Sequence, residues 1–140
     1  MKIKDFLYIY AIGAIGYSFI EILWRGHTHW SMGLLGGICM ITIYFLNIHF
    51  KNMNILIKAA LAAVVITVFE LVTGVIVNII FDLAVWDYSQ MRFNILGQIS
   101  LLYSFLWYIL CIPCLILCKI LKHRIFDVLS KQQKALNKNF

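Results

Sequence analysis

Charge and proline are what this sequence has least of. Only 13% of its 140 residues are charged and a single one is proline, whereas an ordinary soluble domain carries about 25% charged residues. With 63% hydrophobic residues and a mean hydropathy of +0.89, a water-soluble fold could not hide the apolar surface, so a bilayer must serve as part of the solvent. The chain has no Ser/Gly-rich stretch and no proline-rich stretch, which excludes a linker and a second folded domain. It also lacks a G-x-x-x-x-G-K-[ST] loop, which excludes ATP hydrolysis by that route. The net charge of +6 would suggest nucleic acid in a soluble protein. Here the cations sit at the ends and in one loop, so topology explains them and no nucleic-acid partner is expected.

What the sequence does have is four long apolar runs, Phe6–Trp24, Met32–Phe50, Ala59–Phe81 and Ile99–Cys118, each near the roughly 20 residues that cross a bilayer. The first run could be mistaken for a signal peptide. It is too long, it ends in Glu21 and Arg25, and no small-x-small cleavage site follows, so it reads as a membrane helix that stays. The expected fold is therefore all-α: a polytopic bundle of about four transmembrane helices over residues 1–118, followed by a basic tail over 119–140.

Lysine and arginine divide unequally between the two sides of this arrangement. Lys2, Lys4, Lys51, Lys58, Lys119, Lys122, Arg124, Lys131, Lys134 and Lys138 fall on one side, and Arg25 and Arg92 on the other. The bias predicts an integral protein of a bacterial plasma membrane with both termini in the cytoplasm. In the tail, Leu121, Ile125, Val128 and Leu129 recur at helical spacing among basic residues, the pattern of an interfacial amphipathic helix that meets anionic lipids.

The residues that are costly in hydrocarbon carry the functional information. Glu21 lies near the outer end of the first run and Glu70 near the middle of the third, and an ionisable group there must be paired, solvated or neutralised. At 100° per residue, Gly13, Tyr17, Glu21 and Arg25 share a stripe. So do Thr67, Glu70, Gly74 and Asn78, and so do Gly97, Ser100, Ser104, Trp107 and Cys111. Lipid cannot satisfy such stripes, so they should face one another, while Gly33, Gly36 and Gly37 permit close helix approach in the second run. The outer connections add Arg25–Ser31 and the polar, aromatic segment Asp82–Gln98, expected to lie at the interface or to re-enter the bundle.

Together these features predict a polar, aromatic-lined pocket in the outer half, floored by Glu70. Its candidate ligand-binding residues are Glu21, Arg25, His29, Trp30, Glu70, Asn78, Trp86, Asp87, Tyr88, Arg92, Asn94, Gln98 and Trp107. Glu21 and Arg25, at i, i+4, are expected to pair. Two plainer readings compete: polar residues that fix helix register, and tryptophans, Trp24 among them, that form an interfacial belt. His27-Thr28-His29 invites a metal, but one H-x-H is weak, and no metal or cofactor is expected. Cys111-Ile112-Pro113-Cys114 is a C-x-x-C in an apolar span with no second pair beyond Cys39 and Cys118, which disfavours redox chemistry. Pro113 should kink its helix.

The halves also echo each other. Glu21, Gly26, Trp30-Ser31 and Leu34-Leu35-Gly36-Gly37 parallel Glu70, Gly74, Trp86–Ser89 and Ile95-Leu96-Gly97-Gln98. This suggests a 2+2 parallel repeat about an axis along the membrane normal.

At these same residues the chain resembles the ABC-transporter type IV (CmpB-like) membrane proteins. The matching strings are Glu21 with Arg25-Gly26-His27-Thr28-His29-Trp30-Ser31-Met32 and Gly36-Gly37, then Glu70, Gly74, Asn78 and Trp86-Asp87-Tyr88-Ser89, then Asn94-Ile95-Leu96-Gly97-Gln98-Ile99 and Trp107. The likeness runs over roughly residues 15 to 110 and departs at Phe93, where the family pattern has proline. It implies a permease-like transport component, and the outer pocket is expected to bind a small polar solute, an ion or a lipid headgroup. Four spans are few for a complete path, so a homo-oligomer or a membrane partner is expected. The alternatives are an intramembrane enzyme acting on a lipid-linked substrate, disfavoured because no serine or cysteine nucleophile stands near the cluster, and a structural or assembly protein.

Overall fold

The structure, a computed structural model, describes residues 3–128 and Lys131. Four helices are long and apolar enough to cross a membrane. They are α1 (Ile3–Arg25), α2 (Trp30–His49), α3 (Ile55–Gly74) and α4 (Leu101–Ile120). α3 continues as a π-helical segment, Val75–Ile80, and α4 continues as another, Leu121–Phe126. Between α3 and α4 the chain is irregular apart from one small antiparallel pair, β1 (Asn94–Ile95) and β2 (Ile99–Ser100), with Asn94 opposite Ser100. The chain is thus the all-α bundle expected, and its apolar helices make it an integral membrane protein.

Local chemistry sets the helix ends. Gly26, at φ 79°, stops α1 in the left-handed region where glycine has no steric penalty. His29 caps α2, its Nδ1 lying 3.4 Å from the Ser31 N–H. Asn54 caps α3 through the Leu56 N–H at 2.8 Å, and Ser100 caps α4 through the Tyr103 N–H at 3.4 Å.

Small residues decide the packing. α1 lies closely along α2 because Gly36 faces Tyr17, where an added Cβ would stand 2.5 Å from the Tyr17 Cβ, and because the Tyr10 ring covers Gly37. On α3, Ala59, Ala62, Ala63 and Ile66 are buried with Glu70, along one face. The core gathers these with Met32, Leu35, Cys39, Met40 and Ile43 of α2 and Trp107, Cys111, Leu115 and Cys118 of α4. α2 is the central helix and α1 the peripheral one. Leu7, Ile15, Phe19, Leu23, Val64, Val72, Phe105 and Ile109 are exposed, the surface a bilayer covers.

One expectation from the sequence is revised here. Lys58 was placed outside the third span, but it lies within α3 and is only 6% exposed. Its ammonium donates to Asn47 Oδ1 at 3.0 Å, and Asn47 Nδ2 donates to the Leu115 carbonyl at 3.2 Å, so three helices are tied together near their basic end. The reading of the tail as a separate interfacial helix falls partly on residues 129–130 and 132–140, outside the described residues.

Candidate functional site

The α1–α2 and α3–α4 connections meet at one end of the bundle, and the polar stripes of α1, α3 and α4 open there. Glu70 is the deepest member. It is 1% exposed, and its carboxylate accepts from Tyr88 Oη at 3.2 Å and from Trp107 Nε1 at 3.0 Å. Both donors are neutral, and among the described residues no Lys, Arg or His pairs with Glu70. Tyr88 stacks on Tyr103, centroids 4.3 Å apart, and Trp107 stacks on Tyr17 at 5.3 Å. The two donors are therefore held by rings from α4 and α1. Burial beneath Tyr103, with the Glu70 carboxylate beside it, pushes the Tyr88 phenol above its ordinary range, so it remains a donor.

Glu21 is as well shielded, at 4% exposed, but it is differently partnered. It accepts from Arg25 Nη1 at 2.8 Å and from Thr28 Oγ1 at 2.6 Å. Arg25 donates its other nitrogen to the Val85 carbonyl. The Val85 N–H in turn donates to Asn78 Oδ1 at 2.7 Å. Val85 is thus the junction that joins the α1–α2 connection to the α3–α4 segment.

A third group frames the Glu70 site. Asn78 Nδ2 donates to Gln98 Oε1 at 2.7 Å, Gln98 Nε2 donates to the Leu96 carbonyl at 3.0 Å, and Trp86 Nε1 donates to the Gln98 carbonyl at 2.9 Å. Trp86 and Gln98 are buried against Gly74, where a Cβ would come within 2.6 Å of Gln98 Oε1 and 2.9 Å of its Cβ. Glycine at 74 is therefore what lets this segment re-enter onto α3. The segment takes the left-handed region at Asp82, Ala84, Phe93 and Leu96, with φ between 48° and 55°. Each such residue costs on the order of 1–2 kcal/mol, which the side-chain network must offset. Phe93, at φ 55°, occupies a conformation closed to proline.

The remaining candidates serve other purposes. Asp87 forms a turn, accepting from the Ser89 N–H at 2.8 Å and the Ser89 hydroxyl at 2.9 Å. Asn94 ties the loop through the Met91 and Ser89 carbonyls and the Gly97 N–H. His29 bonds Ser31 Oγ at 2.7 Å and packs beside Trp30, which is 67% exposed and lies outside the cluster. Arg92 is exposed and borders a separate surface groove with Phe93, Leu101 and Phe105. Among the described residues no three metal-ligating side chains converge.

Sequence reasoning did not single out Thr28, the Val85 backbone, or the Tyr17–Trp107 stack. Thr28 had a weak signal, a hydroxyl one helical turn past Arg25. A backbone carbonyl has none.

Among the described residues, every buried side-chain nitrogen and oxygen has a partner. The buried polar groups of the cluster are satisfied by one another. A mid-bundle cavity opens beside the cluster, apolar in lining, between α1 and α4.

Fold and site together define a polytopic four-helix membrane protein with an ionisable network buried at one end. More specifically, the chain belongs to the family described as "Putative ABC-transporter type IV", whose model matches residues 5–139, nearly its whole length. No curated protein and no solved structure matches it.

Proposed function

We propose that this protein is the membrane-embedded component of a transport system, and that Glu70 is its ligand-binding or proton-carrying group. One observation carries the reading. Glu70 is a fully buried carboxylate held by two neutral donors and, among the described residues, by no cation. A buried charge without a counter-charge is costly, so the site favours uptake of a proton or of a cationic or hydrogen-bonding solute. Tyr88 comes from the connecting segment rather than from a spanning helix. Movement of that segment would withdraw one donor and open the carboxylate to solvent, with Arg25, Asn78, Trp86 and Gln98 at the rim.

The lysine bias supports an orientation with the basic end in the cytoplasm and the Glu70 end outward, in a bacterial plasma membrane. Four spans with α1 at the periphery support assembly with further copies or a membrane partner. Proteoliposome flux of protons and small cations, compared between the wild type and Glu70→Gln, tests the reading. Flux lost in a folded Glu70→Gln variant is the expected result, and flux unchanged by it overturns the assignment. A structural role is favoured at Glu21 alone, where the network is charge-neutral and complete.

A further inference from the structure

A cavity also lies away from the polar cluster, between α1 and α4. α1 packs along α2 and, apart from the Tyr17–Trp107 stack, barely meets α4. Between them lies a seam of about 200 Å³. Its walls are Gly16, Tyr17 and Ile20 of α1 and Trp107, Cys114 and Leu117 of α4, and Cys39 and Met40 of α2 form its floor.

We infer that this seam is a lipid site, holding one acyl chain of an anionic phospholipid from the leaflet at the basic end. The inference is independent of the role given to Glu70.

Size selects the occupant. Lining residues run from Ile12 to Ile20 on α1 and from Trp107 to Leu117 on α4, a height of roughly 12–15 Å at 1.5 Å per residue. About 200 Å³ spread over that height is a channel narrower than a helix with its side chains, about 10–12 Å across. A second copy of α1 does not fit, whereas a single hydrocarbon chain does. On α4 the lining stops at Trp107 towards Glu70 and runs the other way to Leu117, so the longer part of the seam lies towards the opposite end, where the chain would enter. Charge selects the headgroup. At that end Lys119 and Lys122 follow within two turns of Leu117, and Lys4 stands in the first turn of α1. Each lysine near an anionic headgroup contributes on the order of 1 kcal/mol, about fivefold in occupancy.

Gly16 supplies the test, because a Cβ built there meets nothing within 4 Å. Gly16→Leu enters the seam from a position whose Cβ meets open space. Gly13 is unsuitable, since its Cβ would collide with Met40 and the Gly36 carbonyl. The full chain is reconstituted into phosphatidylcholine vesicles containing a minor fraction of phosphatidylglycerol with brominated chains, and quenching of Trp107 is read as the difference between each protein and its Trp107→Phe partner. The expected result is Trp107 quenching about fivefold beyond the bulk fraction of brominated lipid. It should fall to the bulk fraction in Gly16→Leu, and fall partway in Lys119→Gln/Lys122→Gln, with thermal stability retained in both. Native mass spectrometry should show one bound phosphatidylglycerol lost in Gly16→Leu. Quenching at the bulk fraction in the wild type, or equal in wild type and Gly16→Leu, overturns the inference. So does a change of oligomer mass in Gly16→Leu, which would assign the seam to a second copy.

Discussion

Glu21 and Glu70 each stand in an apolar span of their half of the sequence, yet the structure treats them as opposites. Glu21 lies four residues from the end of α1, about 6 Å along the axis, and Glu70 lies ten residues from Ile80, about 15 Å. The shallow carboxylate has a guanidinium one turn away, and the deep one has, among the described residues, a phenol and an indole. A neutralised ion pair suits a junction, because it is stable and has little reason to change state. A carboxylate with neutral partners can take up or release a proton without breaking an ion pair. Depth and partner choice, rather than residue type, separate the paired acid from the one proposed to carry function.

The comparison breaks most readily at Glu21. Glu21→Gln leaves the Arg25 guanidinium, 26% exposed, without its counter-charge and loosens Thr28. Losing one partner of a buried pair costs 3–5 kcal/mol, and with Arg25 partly exposed the expected loss is about 2–3 kcal/mol, read by denaturation in detergent. Flux through any folded fraction should persist. Stability unchanged in this variant would erase the distinction between the two acids. Trp107→Phe comes next. It removes the 3.0 Å bond to Glu70 Oε2, worth about 1 kcal/mol, and leaves the buried indole site underfilled, so it should cost about 2 kcal/mol in all.

Asn78→Ala sharpens the contrast from the frame. It deletes the acceptor for the Val85 N–H and the donor to Gln98. At about 1 kcal/mol per bond, the expected loss is about 2 kcal/mol, with earlier protease cleavage within residues 82–98. Tyr88→Phe should have the smallest effect on stability, about 1 kcal/mol, because ring stacking on Tyr103 survives. It should nonetheless change the pH profile of flux, since one of the two donors to Glu70 is gone. A pH profile identical to wild type would remove Tyr88 from the site.

Much of this was legible in the chain. Helical periodicity placed Glu21 over Arg25 and aligned Thr67 with Glu70 and Gly74. The structure has the first pair at 2.8 Å and brings Thr67 to Ser104 at 3.0 Å. Trp107 and Asn78 followed from the same stripes, and Gln98 from the polar connecting segment. The irregular segment 82–98 was not resolvable in this way. It has no period, and its path depends on Trp86 meeting the Gln98 carbonyl and on Arg25 meeting the Val85 carbonyl, and backbone acceptors are the same in every residue. For that reason Trp30 and Arg92, polar or aromatic in the right stretch of sequence, joined the expected cluster but stand outside it.

The sequence by itself determined the number of spans, the membrane as solvent and the faces that must avoid lipid. The price of charge in hydrocarbon is a property of residue type and spacing alone. Only the tertiary structure decided which donors each carboxylate meets, that the buried polar groups satisfy one another, that Lys58 lies inside the bundle, and that α1 and α4 leave a seam. Those outcomes depend on how glycine and alanine contacts set the helices apart, and close packing is fixed by all partners at once rather than by any one stretch of chain.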